Sequence, residues 1–336
     1  MSEKPKKATR ARRAKIDEII KHLFSVSKPT LVKMMNSLFN EDFEPETVEI
    51  IQTNPEFGDF DLDILRGDMF LRFRELVETT AKRPNHYHVE FQTKHDKLIG
   101  IRVFGYAFKK AVENERLETA ADDGEIVLYM PKSLVIHVEH HKKIPKDRYR
   151  IKIIFIDENN QESVMNYTVP VLRFWEYDEK QLIKEKLYPL LPLQLFMLRS
   201  ELEKMSRRKN PQGKRETIGK IKTVAERIVR EAHRLGDIGE INDEDIEKIT
   251  TAIGELFKHL NDKYKADSKM NTEVSDMIKT LYDERVFIKG EEKAKIEMAK
   301  KAIKKELSIE DIVDLTGLSM DIIKELQLKK LEEIDK

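Results

Sequence analysis

The texture of the chain changes at Leu198, and that change narrows the folds open to it. Before it, short runs of β-branched and aromatic residues alternate with helix-periodic stretches. After it, strand signals all but vanish and Lys, Glu, Ile and Leu dominate. An α/β body followed by a helical region is therefore expected. With 336 residues, there is room for about two domains. Gly (12) and Pro (11) are scarce, which favours long regular elements over a loop-rich fold.

Within the first part, Leu31, Met34, Met35 and Leu38 recur at helical spacing over residues 30–39. Residues 48–52, 68–73 ("DMFLRF") and 86–92 ("HYHVEFQ") read as strands. Residues 98–112 read as a helix whose apolar face carries Ile101, Phe104, Phe108 and Val112. Further strands are expected at 127–130, 134–138, 150–156 and 164–171. The apolar block "LYPLLPLQLFML" (187–198) predicts a core helix or a domain seam. In the helical region, breaks are expected near 208–213, 235–243 and 288–290. Two short amphipathic helices should flank residues 316–319. The resulting division is a basic, disordered arm (1–16), a core (17–205), a helical region (206–307) and a helical pair (308–336).

Charge excludes some classes and leaves others open. The 62 basic and 62 acidic residues cancel, so net charge names no partner. Residues 1–16 hold seven cations against Glu3 alone, a net +6, which is a solvated tail or an arm for phosphates. No cysteine is present, which excludes disulfides, thiolate catalysis and Cys-ligated metal. The basic start lacks the apolar stretch of a secretory signal, and no apolar run approaches the ~20 residues of a membrane span. A cytoplasmic protein that spans no membrane is expected.

The segment that could carry chemistry is "RGDMFLRF…YHVEFQT". Side chains two apart on a strand share a face. Glu90 and Gln92 then point one way, and Val89 and Phe91 point into the core. If the two strands pair, Asp68 lies beside Glu90. Two carboxylates at a strand end, expected to be exposed, can hold an oxygen-loving cation such as Mg²⁺. The same alternation also arises by chance on any half-exposed strand.

Several ordered motifs over residues 28–205 resemble the recombination-promoting nucleases, also called PD-(D/E)XK nuclease family transposases. "RGDMFLRF" resembles the family's acidic strand and "YHVEFQT" its E-x-Q strand. "IRVFGYAFKKA" is similar to the helix with Arg and Tyr four apart that follows. "LYPLLPLQLFMLRSELE" is similar to the block that closes the conserved core, and "AKKAIKKELSIEDIVDLTGLSMDIIKEL" to a tail of many members. The resemblance implies a restriction-endonuclease-like mixed sheet flanked by helices, and Mg²⁺-dependent cleavage of DNA, with Mn²⁺ as a possible substitute. Carried over by position, Asp68 and Glu90 would bind metal and the backbone carbonyl of Phe91 would add a ligand. Gln92 would stand where the superfamily has a catalytic lysine, offering a neutral dipole in place of a charge. Arg102 and Tyr106 would support the acids or touch DNA. Asp61 and Asp63 also precede the site, so the first ligand is one of three acids, with Asp68 preferred because it opens the alternating strand.

Other candidates have plainer readings. His137, His140, His141 and Glu139 could form a zinc site, or mark a strand running out into a basic turn. Trp175 reads as a packing anchor. A recognition helix should offer Arg, Asn, Gln or Lys to bases. The last helix instead begins with Asp321 and reaches Glu325, so the terminal pair reads as a packing element. Self-association, most simply as a dimer, is expected of residues 200–336. The opposing reading is a catalytically silent DNA-binding or assembly protein that keeps the fold.

Overall fold

A computed structural model describes residues 19–53, 68–76, 85–118 and 127–334. These fall into two compact units, Met1–Val274 and Ser275–Lys336. The expected boundary at 205/206 lies inside the first.

The first unit is built on a six-stranded mixed sheet flanked by helices, in the order β1-β2-β3-β4-β6-β5. Strands β1 (Val48–Thr53), β2 (Asp68–Glu75) and β3 (Asn85–Gln92) pair antiparallel. β4 (Lys132–His137) runs parallel to β3 and to β6 (Glu162–Arg173). β5 (Arg148–Ile156) pairs antiparallel with β6 at the edge. Helix α1 (Lys28–Phe39) opens on Pro29 and stops at Asn40, whose left-handed backbone (φ 53°) lets its N–H bond back to the Asn36 carbonyl. The parallel step from β3 to β4 holds helix α2 (Ile99–Glu118).

The two faces of β3 meet different layers. Its odd residues meet the chain before β1: Phe91 lies edge-on to Phe24 at 5.6 Å, and Tyr87 packs on Phe39 of α1 at 4.8 Å. Its even residues face α2, as the Glu90–Arg102 pair shows. A strand covered on both faces has no wet side, and residues 86–91 are all buried.

Three expectations fail here for physical reasons. Residues 127–130 form no strand and leave Val127 and Tyr129 exposed. Both edges of β3 are already taken by β2 and β4, and Pro131 at the entry to β4 has no N–H to give a ladder. Helix α2 forms, but it buries Ile99, Val103, Ala107 and Ala111, while Ile101 and Phe108 are 59% and 48% exposed. Close approach to the sheet selects the small face: a Cβ on Gly100 would stand 3.2 Å from the Tyr149 Cβ. Ile99 and Val103 pack with Val135 and Val169. Third, no break occurs at 288–290.

After β6 come α3 (Glu179–Lys184) and a 3₁₀ run, Tyr188–Leu198, in which residues 188–196 are all buried. Pro189 and Pro192 cost this segment two amide donors and bar a regular α-helix. It packs against α1, α3, α4 (Arg199–Arg207), α5 (Pro211–Asp237) and α6 (Asp243–Tyr264), and so is a buried seam between elements of one unit, where a core helix or a domain seam was expected. Asp245, fully buried in the first turn of α6, fastens α1 to this layer. It accepts bonds from the Ser27 N–H (2.5 Å), the Ser27 hydroxyl (2.6 Å) and the Thr30 hydroxyl (2.6 Å). The helical breaks near 208–213 and 235–243 occur as expected. A further one follows α6, where Lys265 turns left-handed (φ 47°).

Helix α7 (Met270–Lys304) runs unbroken through Gly290, which is exposed with open space around it. One glycine costs a helix only about 1 kcal/mol. In the second unit, Ala299, Ala302 and Ile303 of α7 pack with Ile312 of α8 (Ile309–Thr316) and Ile323 of α9 (Met320–Ile334). Ser308 caps α8, and Gly317 (φ 68°) makes the turn between the paired helices. Among the described residues, no helix is long and apolar enough to cross a membrane.

Candidate active site

Glu90 lies near the end of β3 and is 1% exposed, against the expectation of a solvent-facing carboxylate. Helix α2 covers it. Arg102 Nη2 donates to Glu90 Oε1 at 3.2 Å, and the Gln92 side-chain amide donates to the same oxygen. Arg102 is fixed from its other side, where Nη1 donates to Asp96 Oδ2 at 2.5 Å. Asp96 is held in turn by the Leu98 N–H, 2.8 Å from its second oxygen. A chain Asp96–Arg102–Glu90–Gln92 thus converges on one carboxylate oxygen. Glu90 Oε2 is buried and has no hydrogen-bond partner among the described residues. An unsatisfied buried charged oxygen costs roughly 1–3 kcal/mol or more, unless something at the site compensates it.

Asp68 is the Cα partner of Glu90 across the antiparallel ladder, as the paired-strand reading requires. Its side chain, and the whole of Asp61 and Asp63, lie outside the described residues. The backbone adds a further oxygen. The Gln92 carbonyl accepts from the Val138 N–H beyond β4 at 2.9 Å. Carbonyls alternate along a strand, so the Phe91 carbonyl turns the other way, toward the β2 side. Asp68, Glu90 and the Phe91 carbonyl are thereby brought to one end of the β2–β3 pair.

Tyr106 goes elsewhere. It lies edge-on to His88, at 6.3 Å. His88 is itself stacked on Phe70 at 4.2 Å and buried between β2 and α2. Of the two helical residues, Arg102 contacts the acid and Tyr106 contacts the layer beneath it.

The histidine-rich stretch disperses. His137 is fully buried, with Nε2 2.8 Å from the Tyr149 hydroxyl. Glu139 is paired with Arg199. His140 lies edge-on to Trp175 at 5.3 Å, and His141 stacks on His95 at 4.6 Å. Among the described residues, no group of three or more His, Asp or Glu could hold a metal ion. Trp175 is only half-buried, and the neighbouring Phe174 is the anchor.

Tyr149, Lys94, Lys263 and Asp96 were not singled out from sequence, whereas His137 was, as a zinc candidate. His137 is the β4 register partner of Gln92. Burial pushes its imidazole down to about 4, with His95 and His141 adding to the effect, so it is neutral near pH 7. Burial pushes the Tyr149 hydroxyl up to about 12, with Asp96 adding to it. Lys94 lies two residues beyond Gln92. Burial, then Arg199 and Lys94, hold the Lys263 ammonium below its usual range, so cations crowd this edge. The signal for Asp96 was its place just before α2, where a carboxylate can cap the helix and reach Arg102. Lys263 is far away in sequence and gave none. Comparison with protein-family models, curated proteins and solved structures finds no match to this chain.

Proposed function

We propose that the chain is a metal-dependent DNA endonuclease with a restriction-endonuclease-like core, of the kind its motifs resemble. One observation carries the reading: a buried Glu90 whose Oε1 is held by two donors while Oε2 is left bare beside the register partner Asp68. An orphaned carboxylate oxygen, with a second acid as its register partner and a backbone carbonyl one residue on, is a donor set that fits a hard cation. Asp68, Glu90 and the Phe91 carbonyl would hold Mg²⁺, with Mn²⁺ able to substitute. When bound, it supplies Lewis-acid polarisation of a phosphoryl oxygen and a more acidic water.

The chain's own residues do the rest. Arg102, pinned by Asp96, fixes the rotamer of Glu90. Gln92 presents a neutral amide to the same place, orienting without adding charge. Lys94 and Lys263 supply positive charge for the DNA backbone. The arm at residues 1–16, outside the described residues, would add phosphate contacts.

The Arg102–Glu90 pair also favours a second reading, a silent DNA-binding or assembly protein. A guanidinium 3.2 Å away in a dry setting competes with a cation for the same carboxylate. Supercoiled plasmid separates the two. Wild-type protein should nick or linearise it with Mg²⁺ or Mn²⁺ and not with EDTA, and Glu90→Gln should be inert. If wild type retains plasmid in a gel shift but never cuts it with either metal, the silent reading stands and the nuclease is lost.

A further inference from the structure

We propose that the open edge of β5 pairs antiparallel with β5 of a second copy of this chain, about a two-fold axis near Ile154. The inference is independent of the nuclease reading. Among the described residues, β5 has a strand neighbour on one side only. The bonds from the Val171 N–H to the Asp147 carbonyl and from the Asp157 N–H to the Gln161 carbonyl show that odd-numbered residues face β6. Arg150, Lys152, Ile154 and Ile156 therefore aim their N–H and C=O groups outward, into a free ladder, while the Arg148 N–H is taken by Asp147 Oδ1 at 2.9 Å.

The far half of this hairpin has no covering layer on either face. Ile154, Phe155 and Ile156 are 46%, 52% and 66% exposed, and Val164 and Met165 beside them on β6 are exposed too. Long apolar edges of this sort pair with other strands unless blocked, and charge is the usual block. Here charge selects the partner instead. Residues 146–152 carry Lys146, Arg148, Arg150 and Lys152 against Asp147, a net +3. Residues 153–162 carry Asp157, Glu158 and Glu162 and no base, a net −3.

Parallel pairing of two copies would align like with like. A two-fold antiparallel register centred on Ile154 sets Arg150 of each copy against the Glu158 turn of the other. It also sets Ile153 against Phe155 and matches even residues to even, as the outward ladder demands. The interface is isologous and closed, so it stops at two copies. Arg148 and Arg150 already bond Asp147, but all three are exposed and can exchange partners.

Full-length protein at micromolar concentration should scatter light as a dimer. Ile154→Lys faces like charges across the axis and should give a monomer with an unchanged circular dichroism spectrum. Arg150→Glu and Glu158→Arg should each weaken association by about tenfold. Mixed together, these two single variants restore both opposite-charge contacts and should form a heterodimer as tight as wild type, as should the double variant with itself. A monomeric wild type, a dimer indifferent to all three changes, or a mixture no tighter than its components would each overturn the proposal.

Discussion

Glu90 carries two demands at once, because the residue that would hold a cation is also half of a buried ion pair. Arg102 and Glu90 are 9% and 1% exposed at the side chain, so neither has water to fall back on. Removing one partner of such a pair costs about 3–5 kcal/mol, since the other is left buried and uncompensated. Glu90→Ala should therefore lower the urea midpoint strongly, contrary to what an exposed strand-end acid would do, and lost cleavage in that variant says little about catalysis. Glu90→Gln keeps the shape and an acceptor for Arg102. It should lose cleavage with a much smaller loss of stability. Equal stability of Glu90→Ala and wild type would refute the buried pair. His137 makes a separate claim on pH. Its folded imidazole titrates near 4, below its ordinary value of about 6.5. Between those values the unfolded chain binds a proton that the folded chain refuses. Stability contributed by neutral His137 is thus complete above about pH 6.5 and gone below about pH 4, a span worth about 3 kcal/mol. Chemical denaturation across that window should show the slope in wild type and a flatter one in His137→Gln.

Helix α2 shows at the scale of an element why some of the fold could be read and some could not. Period-two alternation survives in β2 and β3, so their pairing and the Asp68–Glu90 register were legible. Helix α2 carries two stripes at helical spacing, Ile101–Phe104–Phe108–Val112 and Ile99–Val103–Ala107–Ala111, and hydrophobicity alone prefers the bulkier. Packing against a sheet prefers the one that fits, and fit depends on a distance that one helix's sequence does not contain. Phe104 of the bulky set is partly buried and meets Tyr167 at 5.0 Å. Ala107→Leu should then overpack the seam and cost about 1–3 kcal/mol. Phe108→Ser, at a site half open to water, should move stability by no more than about 0.5 kcal/mol. Thermal melts of the two variants in the reverse order would return the bulky stripe to the core. The strand expected at 127–130 fails by the same logic, since an alternating segment needs a free edge beside it and both edges of β3 are taken.

At the scale of the molecule, composition drew the line between sheet and helices, while the compact units divide elsewhere, between Val274 and Ser275. Residues beyond Leu198 are helical, as their texture predicts. Yet α5 and α6 belong with the sheet, because they cover the 3₁₀ run that ends the α/β part. Leu190, Leu191, Leu193, Leu195 and Phe196 are all 2% exposed or less. Burying five such side chains contributes about 10 kcal/mol at ~1.5–3 kcal/mol each. Even half of that rivals the ~5–15 kcal/mol that holds a whole domain folded. Polar ties run the same way: Asp245 binds Ser27 and Thr30, while Glu240 accepts from Lys33 at 2.9 Å and from Tyr188 at 2.9 Å. A chain ending at Ser206 keeps Asp68, Glu90, Gln92, Arg102 and Tyr106 but loses Lys263, the cover of this seam and the far end of each tie. It should fail to melt cooperatively and should be cut rapidly by protease. A chain ending at Val274 keeps the first unit entire and should melt in one transition. Circular dichroism melts and limited proteolysis of both truncations decide the matter: a cooperative transition for residues 1–206 at the midpoint of residues 1–274 would mean that the helical layer is an accessory to the sheet and not part of its fold.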